Sequence, residues 1–413
     1  MHRRPAGSVG GVHRDSQEIG NDSHSFGAYK GGPGPERVVR LSVVSSERRR
    51  RWVVVAVVAA LLLAVPAVVS ALAPAGTSTD PARLRALILG SGERPYQGYA
   101  ESAGALALPS LPHLADVSAL FSGPTTVRAW YAGPDRYRFA VLTTGGERDV
   151  YRLPDGEYTW DYGANQLSAL IGDPSVRLPR AGDLLPPELA RRVLAAAAGD
   201  TVSVLPARRV AGVEASGLRL VPADPDTTIG RVDIWADPVT GVAVRVEVTA
   251  RGQAAPMLVT AFDELEQTVP VVAAPKPAPG SGFSVVTAPD IASGLGALGQ
   301  IPLPASLAGR RVRAAGFGGV QGAALYGSGL AAFAVAAVPR NIANAAADAA
   351  GQAGASNVPL PSGNAVVLSI TPLSLAVVRS TVSRRSYLVA GTVTSQVLLD
   401  VAGELSRLRR SGR

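Results

Sequence analysis

The sequence contains no cysteine among its 413 residues. Disulfide bonds, lipid attachment through cysteine and thiol catalysis are therefore excluded. Histidine is almost as scarce, since the whole chain holds only His2, His13, His24 and His113. A metal centre of histidine and cysteine ligands cannot be assembled from this set. The sequence thus predicts neither a metal site nor a cofactor.

Charge is absent from one long stretch near the N-terminus. Four consecutive arginines at 48–51 precede Trp52, and the apolar run that follows extends to Leu72. About 21 residues at a rise of ~1.5 Å each span roughly 31 Å, the hydrocarbon thickness of a bilayer. The pattern predicts a membrane helix over 52–72 whose arginine-rich end is cytoplasmic, so that all later residues are extracytoplasmic. A cleaved signal peptide is the alternative, because Ala71-Leu72-Ala73 has the form of a cleavage site.

Residues 1–51 have no apolar period and include the sequence Gly-Gly-Pro-Gly-Pro at 31–35. Such a segment cannot bury a core, so it is predicted to be a disordered cytoplasmic tail. A translation start near Val43 or Val44 would remove most of it and leave a short arginine-rich segment before the apolar run.

The formal net charge of +8 is unevenly distributed. Residues 81–268 carry 18 basic and 22 acidic groups, and residues 269–413 carry 12 basic and 4 acidic groups. The predicted compartment disfavours nucleic acid as a partner of the basic part. We therefore expect the basic part to contact the acidic part, anionic lipid or an acidic partner through charge. A scattered surface charge without a partner is the alternative.

Residues 80–268 combine strand patterns with short turn signals. Helices are predicted over 80–90, where Asp80 caps and Pro81 opens the first turn, and over 186–198. The apolar segment 106–121 is helix-like and is expected to lie over the sheet. Turn sequences such as Gly133-Pro134-Asp135 separate the strands and indicate an antiparallel meander. Strands are predicted at 96–101, 125–131, 136–142, 148–152, 157–161, 166–171, 202–205, 208–213, 216–221, 229–236, 242–250 and 258–267.

A proline-rich linker is predicted over 269–282, followed by a smaller α+β domain over 283–413. The second domain is rich in alanine and glycine. Its predicted helices cover 341–350 and 395–409. Its predicted strands are 312–317, 323–326, 330–338, 365–371, 373–379 and 386–392.

Motifs for catalysis are weak or missing. The glycines at 294–299 match the dinucleotide fingerprint, but no strand precedes them and no acidic residue follows at the required distance. The carboxylates Asp149, Asp155, Glu157 and Asp161 have the chemistry of a glycosidase, but solvated turn and edge positions explain them as well. These observations predict a protein that is not an enzyme.

Aromatic side chains are concentrated in the first half of the predicted extracytoplasmic region. Because alternate residues of a strand share a face, a curved sheet that turned them inward would enclose an apolar space. An ordinary packed core explains the same pattern. The residues predicted to line such a groove are Tyr99, Leu111, Phe121, Trp130, Phe139 and Trp160.

The order of several short motifs resembles a known family. Tyr96-Gln97-Gly98, the hairpin Trp130-Tyr131-Ala132-Gly133-Pro134-Asp135-Arg136 and the later Trp160-Asp161 are similar to the N-terminal domain of RseB/MucB-type sigma-factor regulators and to LolA-like lipoprotein carriers. The resemblance covers about residues 90–268. It implies an unclosed antiparallel β-barrel wrapped on helices, with a hydrophobic groove for acyl chains. The missing lipid-attachment cysteine departs from the lipoproteins of this superfamily.

The leading hypothesis is a membrane-anchored, non-enzymatic protein that binds a lipid or lipoprotein acyl chain. The resemblance further implies that it regulates a membrane anti-sigma-type protein. The competing hypotheses are a partner-binding module with a solid core and a lipid or lipoprotein carrier. An apolar cavity between the sheet and segment 106–121 would favour the first hypothesis, and a filled interior would favour the solid module.

Overall fold

The structure, a computed structural model, describes residues 79–106, 115–143, 146–172, 179–277, 279–287, 302–313 and 322–409. The predicted tail and the predicted membrane helix over 52–72 lie outside these residues. Within the described part of the chain, no helix is long and apolar enough to cross a bilayer.

A twelve-stranded sheet forms the larger part of the fold. Its spatial order is β12-β6-β5-β4-β3-β2-β1-β11-β10-β9-β8-β7, so the two ends do not meet and the sheet stays open. All neighbours pair antiparallel except β12, which runs parallel to β6. The predicted unclosed antiparallel sheet is confirmed. Its strands are β1 (Tyr96–Gly104), β2 (Pro124–Gly133), β3 (Arg136–Thr143), β4 (Gly146–Leu153), β5 (Gly156–Asp161), β6 (Gln166–Ile171), β7 (Val202–Val210), β8 (Val213–Leu220), β9 (Ile229–Ala236), β10 (Ala243–Ala250), β11 (Leu258–Glu266) and β12 (Gly282–Thr287).

Three helices accompany this sheet: α1 (Pro81–Leu89), α2 (Ala115–Ser122) and α3 (Pro186–Ala196). Asp80 caps α1 by accepting a hydrogen bond from the backbone N–H of Arg83 at 3.1 Å, as the sequence predicts. Helices α1 and α3 contact each other and cover the strands from β7 to β11, where the main hydrophobic core lies. The α2 helix packs on β1 and β2.

A second, six-stranded antiparallel sheet follows along the chain, in the order β15-β16-β20-β19-β18-β17. The neighbouring residues Val377 and Val378 of β19 point to opposite faces, and each belongs to a different hydrophobic cluster. Helix α4 covers one face and α5 the other, so this part has three layers. The elements are β13 (Ser306–Leu307), β14 (Arg310–Arg311), β15 (Ala323–Ser328), β16 (Ala331–Val338), α4 (Arg340–Gln352), β17 (Ser356–Leu360), β18 (Gly363–Ile370), β19 (Leu373–Ser380), β20 (Ser386–Gly391) and α5 (Ser395–Arg407).

The two sheets contact each other through a polar junction. Arg310 donates to a carboxylate oxygen of Asp224 at 2.8 Å and to one of Asp226 at 2.9 Å. The buried Thr227 hydroxyl lies 3.0 Å from the carbonyl oxygens of both Leu330 and Thr392. A basic residue of 269–413 thus binds acidic residues of 81–268, as the charge distribution predicts.

Several predicted elements need correction. The separate strands 202–205 and 208–213 are one strand, β7, because a register shift between Leu205 and Arg208 absorbs Pro206 without ending the pairing. The chain then turns at Ala211 and Gly212, which both have positive φ. The predicted strand 312–317 is not a strand at its start, since Val312 forms a single bridge to Tyr326 and the residues from 314 onward are not described.

Of the strands that the structure describes, four were not predicted: β12, β17 and the two-residue strands β13 and β14. β17 contains Pro359, and β12 immediately follows the proline-rich segment. Because β12 pairs with β6, residues 282–287 belong to the large sheet. The division of the chain into 80–268, a linker over 269–282 and 283–413 remains a prediction.

Candidate functional site

The two faces of the large sheet are distinguished by its strand register. Tyr96 of β1, Tyr131 of β2 and Tyr137 of β3 are direct cross-strand partners and therefore share one face. Helices α1 and α3 pack on this face, which we call the inner face. Residues one position away in each strand, such as Trp130, point to the opposite, outer face.

Aromatic rings line up on the inner face. The rings of Tyr96 and Tyr131 are stacked with centroids 4.9 Å apart, and those of Tyr137 and Phe139 are stacked at 4.4 Å. Tyr131 joins the two pairs, since its ring lies 6.2 Å from that of Tyr137 and 6.4 Å from that of Phe139. Burial raises the pKa of Tyr131 to about 12, so this phenol stays neutral at physiological pH.

A short segment before α3 closes over this row of rings. Residues Ala181–Leu184 form a 3₁₀ turn, and Pro186 and Pro187 then open α3. A Cβ atom on Gly182 would overlap the Phe139 ring, so the absence of a side chain lets the backbone lie directly on the ring. We call residues 180–187 the cover segment.

A cleft of about 190 Å³ remains between the cover segment and strands β2 to β4. Its floor is aromatic and aliphatic, and its rim is charged. The lining residues are Tyr131, Pro134, Tyr137, Phe139, Val141, Val150, Arg180, Ala181, Gly182, Asp183, Glu188 and Arg192.

Ion pairs hold the rim together. The guanidinium of Arg180 binds the carboxylate of Glu157, which is 8% exposed and lies in the same cross-strand row as Tyr137. Asp183 accepts from the backbone N–H of Arg180 at 2.8 Å and from Arg192 at 2.6 Å. The rim therefore presents two arginines whose charges are balanced by the protein's own carboxylates.

The outer face carries a different cluster. The ring of Trp130 contacts two guanidinium groups, those of Arg138 and Arg128, which lie 4.4 Å and 5.0 Å from its centroid. Arg138 also binds the fully buried Asp149 at 2.8 Å, and the Tyr151 hydroxyl donates to the same carboxylate at 2.8 Å. These contacts connect β2, β3 and β4 on the outer face, while the buried Oδ1 of Asp149 and Nε of Arg138 have no hydrogen-bond partner among the described residues.

The predicted groove residues are divided between these two faces. Phe139 lines the cleft, and Phe121 packs partly buried against the main core. Tyr99, Trp130 and Trp160 lie on the outer face, because cross-strand pairs connect Tyr99 through Arg128, Ala140 and Asp149 to Trp160. Leu111 lies outside the described residues. The cover segment lies over the cleft because Gly182 can approach the Phe139 ring, and none of the described residues of 106–121 lines it.

The carboxylates considered for catalysis have structural partners. Asp155 accepts from the Tyr158 hydroxyl at 3.1 Å, and Asp161 binds Arg148 at 2.9 Å. The expectation that Glu157 is a solvated edge residue is wrong, since it is buried beside Arg180. Among the residues that the structure describes, no group of three or more acidic or histidine side chains is placed to hold a metal ion.

Sequence reasoning missed Tyr131 and Tyr137 as lining residues. Both flank the predicted turn 133–135 at equal distance, so a hairpin register places them opposite each other. The Pro-Pro signal at 186–187 identifies the start of α3, but nothing local indicates that the preceding turn lies on a phenylalanine ring.

No protein-family model and no curated protein sequence matches this chain. Among solved structures, the MucA/MucB complex of Pseudomonas aeruginosa is similar at 17% identity and a TM-score of 0.42, over 78% of this chain and 96% of that one. A LolA superfamily protein from Nitrosomonas europaea is similar at 10% identity and a TM-score of 0.20, over 44% and 92%. LprF from Mycobacterium bovis is similar at 10% identity and a TM-score of 0.28, over 49% and 99%. Both groups that the sequence resembles are thus present among these structures.

Proposed function

We propose that this chain is a non-enzymatic, extracytoplasmic binding protein that holds an acyl chain of a lipid or lipoprotein in the cleft under the cover segment. The observation that carries the proposal is the aromatic row of Tyr131, Tyr137 and Phe139, which a short glycine-containing turn covers incompletely. An apolar floor with a few polar groups at its rim is the usual form of a small-molecule site.

The size of the cleft limits what it holds. Its volume of about 190 Å³ is below the ~300–1,000 Å³ of drug-sized ligand pockets. It therefore suits one acyl-chain segment and not a whole lipid. At about 0.8 kcal/mol for each buried methylene, even a segment of a few carbons contributes measurable affinity.

The charged rim places the polar part of the ligand outside. Arg192 is 52% exposed at its side chain and Arg180 is 31% exposed, so both can reach a head group in solvent. Since each already binds a carboxylate, an anionic head group would exchange with Asp183 or Glu157 and would gain little net energy. We therefore expect affinity to come from the acyl chain.

The resemblance of the sequence to sigma-factor regulators extends the proposal to a protein partner. Two solved structures show MucB bound to MucA. We propose that occupancy of the cleft changes binding to a membrane anti-sigma-type protein. Co-purification of partners from membranes, with and without extraction of lipid, measures that link. A partner set that does not change with lipid content would contradict it.

Membrane anchoring by residues 52–72 belongs to the same proposal. N-terminal sequencing of the mature protein distinguishes an anchor from a cleaved signal peptide. A mature chain that begins after Ala73 would contradict the anchor and leave a secreted protein.

Replacing Val150 by tryptophan tests the cleft. Val150 lines the cleft from β4, so the larger side chain would fill the space for the ligand. Thr126→Trp is the matched control, because Thr126 lies on the outer face of β2 and pairs with Leu142. We expect native mass spectrometry of the chain purified from membranes to show bound lipid in the wild type and in the control, and strongly reduced lipid in Val150→Trp.

The competing function is a partner-binding module without a ligand. It predicts no retained lipid in any of the three proteins and unchanged partner binding in Val150→Trp. Equal lipid content in both tryptophan variants would also contradict a ligand in this cleft.

A further inference from the structure

The two sheets have four end strands, and three of them are protected against pairing with another chain. Strand β7 contains Pro206 and the charged residues Arg208 and Arg209, and it has a register shift between Leu205 and Arg208. Strand β17 contains Pro359. The outer side of β15 is partly occupied, since Arg313 donates its backbone N–H to the Leu325 carbonyl at 2.7 Å. Charges, prolines, bulges and covering segments are the usual means of blocking an edge strand.

Within the residues that the structure describes, strand β12 has none of these protections. Its sequence, Gly-Phe-Ser-Val-Val-Thr over Gly282–Thr287, contains no charge and no proline. Apolar side chains on both of its faces are exposed: Phe283 is 62% exposed, Val285 55% and Val286 44%. Within the described part of the chain, its only strand partner is β6. With respect to the described residues, one edge and both faces of β12 are therefore open to a partner.

Strand β12 is bound to the large sheet along its whole length. It pairs with the whole of β6, and the hydroxyl groups of Ser168 and Ser284 are hydrogen bonded at 2.9 Å. The backbone N–H of Gly282 donates to the Asn165 carbonyl at 3.0 Å. The free edge is therefore held in an extended conformation that can accept a further strand.

We propose that the occupant of this edge is β12 of a second copy of this chain, running antiparallel about a two-fold axis at Ser284. Phe283 and Val285 are two positions apart and share a face. In an antiparallel register centred on Ser284, Phe283 of each copy lies opposite Val285 of the other. Both cross-strand pairs are then aromatic against β-branched, a favourable combination.

The lack of charge in β12 is also compatible with pairing to a second copy of the same strand. An uncharged segment does not repel its own copy, and a two-fold interface requires the same surface on both subunits. A different polypeptide would need to supply its own matching apolar pair. A second copy of β12 supplies these apolar residues from the same sequence, so it is the occupant that we propose for this edge.

Because the chain has no cysteine, a single Ser284→Cys substitution gives a specific test. At the two-fold axis, residue 284 lies opposite itself, with the Cα atoms about 4.5–5.5 Å apart. A disulfide spans this separation. We expect the full-length Ser284→Cys chain, in dilute detergent solution with a mild oxidant, to form a reducible covalent dimer.

The matched control is Ser203→Cys, since Ser203 is an exposed serine on the opposite end strand β7. Its yield of covalent dimer measures random collision. Equal yields from both variants would overturn the proposal, as would a monomeric wild-type chain over the whole concentration range of a sedimentation experiment.

Introducing a charged side chain at residue 284 tests the position of the two-fold axis. Like charges directly opposite each other destabilise a strand pair. Ser284→Lys and Ser284→Glu should each weaken the dimer by about tenfold or more, which corresponds to ~1.4 kcal/mol. A mixture of the two variants should restore it, which also shows that both fold. If the mixture stays monomeric, or if Ser284→Lys still dimerises, β12 is not the interface.

Discussion

At the scale of single residues, Asp149 is the most constrained carboxylate on the outer face. It is fully buried and binds Arg138 and the Tyr151 hydroxyl. Burial raises the pKa of Asp149 from 3.8 to about 6, although the hydrogen bond from Tyr151 and the charge of Arg138 oppose the shift. The nearby Glu147, which also binds Arg138, acts in the same direction as burial. Protonation of Asp149 is therefore easier in the folded chain than in the unfolded one.

The raised pKa predicts how stability depends on pH. Between about pH 4 and pH 6 the folded state holds a proton on Asp149 that the unfolded state has lost, so the free energy of unfolding falls as the pH rises through this window. Over this pH window the contribution of Asp149 to the free energy of unfolding falls by roughly 2–3 kcal/mol. We expect Asp149→Asn to remove this part of the pH dependence, as measured by urea unfolding from pH 4 to pH 7.

The difference between the wild type and Asp149→Asn isolates this carboxylate from the others. Asp161 and Asp224 have lowered pKa values, because of hydrogen bonds from the Ala164 backbone and from Arg310 respectively, and contribute with the opposite sign. A constant difference between the two proteins across the window would contradict the assignment.

At the scale of elements, the cover segment depends on Asp183. One carboxylate oxygen of Asp183 accepts from the Arg180 backbone and the other binds Arg192. The side chain of Arg192 is 52% exposed, so solvent weakens the ion pair, and the partly buried hydrogen bond from the Arg180 backbone is the stronger contribution. The turn therefore behaves as a capped unit attached to α3.

Replacing Asp183 by alanine should loosen this unit. Losing a capping carboxylate costs about 1 kcal/mol, so we expect faster hydrogen exchange in residues 180–192 and unchanged exchange in β8 to β10. Asp155→Ala is the control, since Asp155 lies in an exposed turn and binds only a tyrosine hydroxyl that is itself exposed. A uniform increase over the whole chain in Asp183→Ala would mean global destabilisation and contradict a local role.

At the scale of the whole molecule, the junction between the two sheets combines charge with buried hydrogen bonds. The side chain of Arg310 is only 13% exposed, so salt screens its pairs with Asp224 and Asp226 incompletely. Thr227 and Thr228 add hydrogen bonds to Leu330 and Thr392 that carry no net charge. The contact should therefore weaken with salt without being abolished.

Replacing Arg310 by alanine leaves Asp224 and Asp226 without their cation. We expect the radius of gyration from small-angle scattering to increase relative to the wild type, most clearly at low salt, and to depend little on salt, because only the neutral hydrogen bonds remain. Arg311→Ala is the matched control, since Arg311 is the exposed neighbouring residue in β14. Identical scattering from both variants at every salt concentration would show that charge does not hold the junction.

The same wild-type junction should also weaken in acid. The hydrogen bond from Arg310 lowers the pKa of Asp224, so the stability that it contributes is present at neutral pH and is lost as the pH falls through the lowered value.

The amino-acid sequence by itself determined most of the elements. Proline and glycine turns, Asp80 before Pro81, and the two-residue alternation are local signals, and they predict α1, α3 and most strands of both sheets. The unpredicted β17 and β12 show the limit of such signals. Pro359 is tolerated at an end strand, and β12 is a strand only because β6 offers it an edge.

Only the tertiary structure decided which side of the large sheet is the inner one. The observed strand pairing places Tyr99, Trp130 and Trp160 on one face, whereas alternation along each strand shows neither this pairing nor the face on which α1 and α3 pack. Because the side-chain period is two, a choice that is wrong by one residue moves every predicted lining position to the other face. Tyr131 and Phe139 lie at the cleft, and Trp130 does not, because the cover segment, which is far away in sequence, packs on the inner face of the same strands.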